Sequence, residues 1–151
     1  MVTKSPFMEI AILEARKAFA RDEVPVGAVI IDSNSQIIAK TGNQTEKKQD
    51  PTAHAEMEVI RKACSVLGNK FLNDCSIYVT LEPCPMCAQA ISAARIKSLY
   101  YGAFDPKSGG VENGTKTYLK SSCHHKPEVY SGIYETECSQ LIKDYFFSKR
   151  I

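Results

Sequence analysis

Ser76-Ile77-Tyr78-Val79-Thr80-Leu81-Glu82-Pro83-Cys84-Pro85-Met86-Cys87 is the stretch from which the fold can be read. Its first half is rich in β-branched and aromatic residues, which predicts a strand over 76–81. Glu82 and Pro83 break that strand. Cys84, Cys87, Ala88, Ile91 and Ala94 then recur at helical spacing, which predicts a helix opening after Pro83.

Upstream, Ala53, Met57, Ile60, Cys64 and Leu67 share a helical stripe, with Gly68 placed as a C-terminal cap, so a second helix is expected from near His54. Val24 to Ile31 and Gln36 to Lys40, separated by the polar turn Asp32 to Ser35, read as a β-hairpin. Met8, Ala11, Ile12, Ala15, Ala18 and Phe19 predict an N-terminal amphipathic helix, and Asn43 to Pro51 reads as a polar loop. Downstream, Lys97 to Gly102 predicts a strand, Asp105 to Thr117 a loop, and Glu128 to Ser131 a short last strand. Tyr134, Cys138, Leu141, Ile142, Tyr145 and Phe146 keep helical period to the end. Strands alternating with helices predict an α/β sandwich around a central sheet. With 151 residues and no internal repeat or linker, a single domain over 1–151 is expected.

Composition narrows the function classes. Hydrophobic residues at 44% and charged residues at 24% are ordinary for a soluble globular chain. Near the N-terminus, with Lys4, Glu9 and Glu14, the longest apolar run is Ile10 to Leu13, too short for a signal-peptide core or a membrane span. A cytoplasmic protein without membrane attachment is therefore expected. In that setting six cysteines point away from disulfides, and a closely spaced pair is better read as metal-binding or catalytic. Cys84 and Cys87 are that pair. The net charge of +2 does not announce a polyanion partner, so one would have to meet local patches. Asn113 to Pro127, with Lys116, Lys120, His124, His125 and Lys126, and the C-terminal Lys149 and Arg150 are the candidates, although charged loops are more often plain solvated surface.

Catalytic zinc uses three protein ligands and keeps a fourth position for water. Cys84 and Cys87, three residues apart in the first turn of a helix, can approach one ion from one face. The helix dipole there favours thiolates. His54, also at a helix start, completes a three-ligand set. Glu56, two residues on, points elsewhere on its helix and can face the bound water as a proton carrier. Zinc-bound water has its pKa lowered to about 7, which suits a hydrolytic reaction. Singly, each residue has a simpler reading as a cap, a dipole partner or core packing. Their order and spacing together favour the metal site.

His54-Ala55-Glu56 followed by Pro83-Cys84-Pro85-Met86-Cys87 resembles the signature of the cytidine and deoxycytidylate deaminase superfamily. Within it, Val24-Pro25-Val26-Gly27-Ala28-Val29, Asp50 to Glu56, Val79 to Cys84 and Gly102 to Gly109 are most similar to bacterial tRNA adenosine deaminases of the TadA type, over nearly the whole chain. The resemblance implies a three-layer α/β/α sandwich with a central mixed sheet of about five strands. It further implies one zinc ion per chain, no nucleotide cofactor, and a homodimer with active sites near the subunit interface. The implied reaction is conversion of adenosine to inosine at the wobble position of a tRNA anticodon, in an arginine tRNA. The adenine would leave the anticodon stack, with Pro25, Val26 and Ala55 lining its pocket and Asn43 contacting the nucleoside. Asp105 matches a residue that approaches a ribose hydroxyl, Lys107 lies in the same matching run, and Phe146 belongs to an aromatic cluster like that family's final helix, which packs near the anticodon loop. Lys120-Ser121-Ser122-Cys123-His124-His125-Lys126 departs from the family pattern, with His125 and Lys126 its clear matches.

Two other readings remain. Glu82 to Cys87 and Arg61-Lys62-Ala63-Cys64 also resemble guanine deaminase, an enzyme of a free base. A zinc-stabilised RNA-binding domain without activity would need a fourth protein ligand, and Cys64, Cys75, Cys123 and Cys138 lack pair spacing with the cluster, so these four are expected as buried small apolar residues.

Overall fold

A computed structural model describes residues 5–149; Lys4 and Arg150, named above for their charge, lie outside them. Ser5 caps helix α1 (Pro6–Ala20) by accepting the Met8 N–H through its Oγ at 3.2 Å, with Pro6 at the first helical position. Strand β1 (Gly27–Ile31) and strand β2 (Ile37–Gly42) form the expected hairpin. The short helix α2 (Thr45–Lys48) precedes α3 (Ala55–Leu67), which closes on Gly68 at φ 62°. Strand β3 (Ser76–Leu81) leads into α4 (Pro85–Ala93), and β4 (Ser98–Ala103) and β5 (Glu128–Tyr130) follow, with α5 (Glu135–Ser148) last.

The sheet order is β2-β1-β3-β4-β5. β1 runs antiparallel to both its neighbours, while β3, β4 and β5 are parallel. The sheet is therefore mixed, and β2, β3 and β4 all end at the same edge. Side chains that alternate along the strands feed two cores. Ala28, Ile30, Ile77, Val79, Leu99 and Tyr101 pack under α3 and α4, and Val29, Ile31, Tyr78 and Ala103 pack under α1 and α5. This is the expected α/β/α layering.

Four expectations need correction. Strand β1 begins at Gly27 rather than Val24, because Pro25 has no N–H to give a ladder and the Val26 N–H turns back to the Val24 carbonyl at 2.8 Å. Asn43 to Pro51 is not all loop. α2 forms within it although Gln44 supplies no side-chain cap, because the buried Glu23 carboxylate accepts the N–H groups of Glu46 at 3.0 Å and Lys47 at 2.7 Å. The buried face of α3 is rotated from the expected stripe: Ala55, Glu56, Glu58, Val59 and Ala63 are inside, whereas Met57, Ile60 and Cys64 are half-buried and Leu67 is exposed. Two glutamates hide on that face, which a hydrophobic stripe cannot register. Cys64 is accordingly only partly buried, while Cys75, Cys123 and Cys138 are buried as expected.

Helix α5 seats Cys138 against Gly102 and lays Tyr145 edge-on to Phe19 at 5.6 Å. Phe146 and Phe147 stay exposed. Among the described residues no helix is long and apolar enough to cross a membrane.

A Cβ at Gly27 would collide with the Ala11 carbonyl oxygen and sit 2.6 Å from the Ala15 nitrogen. Gly27→Ala should lower the unfolding free energy by about 1–3 kcal/mol through overpacking, read as a reduced urea midpoint at unchanged m. A midpoint equal to that of the wild type would show that α1 and β1 are not packed backbone to backbone.

Candidate metal centre

The loop after β2 and the turn after β3 bring two helix starts to one sheet edge. His54 is the N-cap of α3 and Cys84 the N-cap of α4, so Cys84 stands one position before the first turn expected for it, and Cys87 is in that turn. Both caps have extended backbone and neither side chain makes a capping hydrogen bond. Their carbonyls begin the helices instead, accepting the N–H of Glu58 at 3.0 Å and of Ala88 at 2.8 Å. The side chains are left to face each other. His54 Nδ1 lies 3.6 Å from Cys84 Sγ and 3.5 Å from Cys87 Sγ, and the three donor atoms are all within 4.8 Å of one another.

These distances fit a metal ion. With Zn–S near 2.3 Å and Zn–N near 2.0 Å, tetrahedral geometry sets S···N at about 3.5 Å. Protonation of the donors agrees. The Cys84 thiol is driven down to about 4, first by the hydrogen bond from Cys87 and then by His54, against the opposing cost of burial. Cys87 is pushed the other way by the Cys84 thiolate and by burial. The pair thus keeps one thiolate and one thiol. His54 is raised, chiefly by its hydrogen bond with Cys84. A cation is the partner that would stabilise the second thiolate as well. Among the described residues no fourth His, Cys, Asp or Glu joins the group.

Glu56 stands beside this point in the first turn of α3, with its side chain 4% exposed and the Cys87 thiol as a hydrogen-bond neighbour. Burial raises its carboxyl from the ordinary value to about 7, partly offset by its own backbone N–H and by the charge of His54. Ala55 and Val26 are buried in the same core as α3 and α4, and Pro25 is buried in the turn before β1. Asn43 follows β2 and donates its backbone N–H to the Val26 carbonyl at 2.9 Å. Its side-chain Oδ1 is buried with no hydrogen-bond partner.

The remaining three expected residues lie apart from these, together in an open cleft of about 1200 Å³ between the segment after β4 and α5. Asp105, Lys107 and Phe146 line it with Leu81, Lys143 and Phe147. The candidate residues thus divide between a half-buried point at two helix starts and an exposed cleft.

The cytidine and deoxycytidylate deaminase zinc-binding region is matched by residues 1–103. A tRNA-specific adenosine deaminase of Agrobacterium fabrum is 51% identical over 151 residues, covering 100% of this chain and 99% of the relative. The chain belongs to that deaminase family. A solved structure from studies of A-to-I editing by tRNA:A34 deaminases at the wobble position superposes on this deaminase with a TM-score of 0.89 at 53% identity, covering 91% of this chain and 99% of the other. A guanine deaminase from Bacillus subtilis is 43% identical where it aligns, covering 68% of this chain and 66% of its own, with a TM-score of 0.64. Sequence similarity to the tRNA-specific relative therefore runs the full length, while the Bacillus subtilis guanine deaminase aligns over 68% of this chain.

Sequence reading missed three buried carboxylates of this deaminase that surround the site: Glu23 under α2, Glu58 and Glu82. Glu58 pairs with Lys48 and with Arg61. A glutamate in an otherwise apolar strand-to-helix junction, as at Glu82, was the one available signal.

Because folding raises the Glu56 pKa, the folded chain holds that proton more tightly than the unfolded chain. Its contribution is fully present below the ordinary carboxylate value and is lost as pH climbs to about 7. In metal-depleted protein, Glu56→Gln should therefore be more stable than wild type at pH 8, by about 3 kcal/mol, and nearly equal to it at pH 4. A stability difference that does not change with pH would remove the burial argument for this carboxyl.

Proposed function

We propose that this chain hydrolyses adenosine to inosine at the wobble position of a tRNA anticodon, acting in the cytoplasm as a homodimer of single-domain chains. The observation that carries the reading is one nitrogen and two sulfurs within 4.8 Å of one another beside a buried carboxyl. His54, Cys84 and Cys87 hold one zinc ion, and Glu56 carries protons. Zinc held by three side chains supplies a Lewis acid that brings the acidity of water to about pH 7.

Glu56 takes a proton from the attacking water as its oxygen bonds to C6 of the adenine. It gives that proton to N1 of the ring, then takes the remaining proton of the attached hydroxyl and delivers it to the departing amine, so that the C6–N bond breaks, ammonia leaves and the oxygen stays as the inosine carbonyl beside N1–H. A carboxyl with a pKa near the working pH can do both, and burial is what tunes it. Pro25, Val26 and Ala55 form apolar walls for the flipped purine. The orphaned Asn43 Oδ1 is kept for a substrate donor, since leaving it unmatched costs about 1–3 kcal/mol.

The cleft takes the neighbouring nucleotides of the anticodon loop. Exposed Phe146 offers a ring for an unstacked base, Lys107 a cation for phosphate, and Asp105 an acceptor for a ribose hydroxyl. The relatives named for tRNA-specific adenosine deamination support this reading along the whole chain. Deamination of a free base such as guanine is the second reading, supported by the partial likeness to guanine deaminase. A non-catalytic zinc-stabilised domain is disfavoured, because among the described residues no side chain supplies a fourth ligand.

Purified protein incubated with an arginine-tRNA anticodon stem-loop bearing adenosine at the wobble position should yield inosine, and guanine, cytosine and cytidine should release no ammonia. Glu56→Ala should keep one zinc per chain and lose turnover by a factor of at least about 10². Ammonia from guanine alone would establish the second reading. Stem-loop affinity should also fall steeply between 50 and 200 mM salt, roughly tenfold or more, as phosphate contacts release counterions; an affinity indifferent to salt would exclude the cleft as an RNA surface.

A further inference from the structure

Glu82 is 1% exposed, and among the described residues no lysine, arginine or histidine pairs with it. Five N–H donors take the place of a counter-ion. Oε1 accepts the Asp105 backbone N–H at 3.0 Å and the Asn113 side-chain amide at 2.7 Å. Oε2 accepts the backbone N–H groups of Val111, Glu112 and Asn113 at 3.1, 2.9 and 2.9 Å. One carboxylate therefore grips both ends of the segment 105–113.

That segment has little core of its own, since Val111 is its one buried large apolar side chain. The carboxylate fills the space a core would occupy. A Cβ at Gly109 would lie 2.7 Å from the Glu82 carboxyl carbon. The segment is also pinned to the start of α4, because the Gly110 N–H donates to the Pro83 carbonyl at 2.8 Å and a Cβ at Gly110 would lie 2.5 Å from the Pro85 nitrogen. At its outer turn Asp105 accepts the Ser108 N–H at 2.9 Å, and Asp105, Lys107 and Ser108 all line the cleft.

We infer that Glu82 is a positioning residue for the RNA substrate: it fixes segment 105–113 on the start of α4, so that Asp105 and Lys107 stand at a set place beside the metal point. The inference rests on the function proposed above. When the carboxylate becomes an amide, every one of these bonds loses the assistance of its charge, and one of the two oxygen positions becomes a donor that faces N–H groups. The segment then explores other positions, and its two polar side chains meet the anticodon loop in many arrangements rather than one.

Two measurements test this on the zinc-loaded protein. In Glu82→Gln, hydrogen exchange at the Val111, Glu112 and Asn113 amides should accelerate at least about tenfold while the β3 and β4 amides stay protected. Zinc should remain at one per chain. With the wobble-adenosine stem-loop, KM should rise about tenfold and kcat hold within about twofold. Lys107→Ala should raise KM in the wild-type background but add less than about twofold in the Glu82→Gln background, because both changes act through one segment.

Should Glu82→Gln not fold, Asn113→Ala carries the test, since it removes the side-chain donor alone; it should raise KM about threefold with kcat unchanged. A fall in kcat with loss of zinc, additive effects of Lys107→Ala, or unaltered exchange at the three amides would each overturn the inference. Wild-type protein that leaves the stem-loop unmodified would instead defeat the proposed function, and amide exchange would then report on the Glu82 latch alone.

Discussion

His54, Cys84 and Cys87 hold three donor atoms within 4.8 Å of one another, and that is possible only if two helices begin at the same sheet edge. The hairpin meets this condition by turning β2 parallel to β3, so that both strands run toward that edge and α3 and α4 both start there. N-cap positions ordinarily spend their side chains on their own helix. Here the histidine and the cysteine at the caps make no capping hydrogen bond. Their carbonyls open the helices, and the side chains meet across a gap of the size a tetrahedral cation fills.

Around that point the structure uses buried carboxylates where other folds would use core. Glu23 organises α2, Glu58 ties α3 to Lys48 and Arg61, and Glu82 gathers the segment after β4. Polar connections of this kind cannot bury enough apolar surface to order themselves. A carboxylate accepting several backbone N–H groups makes strong, directional bonds at each and loses little by being desolvated once they are matched. Glu56 contrasts with Glu82. Both are buried, but Glu56 meets few donors and burial raises its pKa, whereas the N–H groups around Glu82 lower that carboxylate's.

The division between the half-buried point and the open cleft suits a macromolecular substrate. A reacting base needs a dry, apolar place, and the chain on either side of it needs a wide, charged and aromatic one. Helix α5 supplies the second wall by anchoring through Cys138 and Tyr145 while leaving Phe146 and Phe147 outside. The hydrophobic effect argues against two neighbouring exposed phenylalanines on a helix whose opposite face is already packed, unless a partner covers them.

Much of the fold was legible from residue order. Strand 76–81 could be placed from its β-branched run, α4 from the breaking Pro83 and the stripe of Cys87, Ala88 and Ile91, and the end of α3 from Gly68, because backbone sterics and side-chain period act over a few residues. The pairing of Cys84 with Cys87 could be read from their spacing at a helix start, while their meeting with His54 depends on the sheet bringing two helix starts together. What only the tertiary structure decided involves groups distant in the chain: α2 exists because Glu23 reaches it, the inner face of α3 is turned toward two glutamates, α1 packs directly on the backbone of β1 at Gly27, and Glu82 finds its donors 23 to 31 residues away. A buried charge has no period along a sequence. Whether it is matched depends on which backbone amides the fold happens to deliver to it, and that is settled only once the chain has closed on itself.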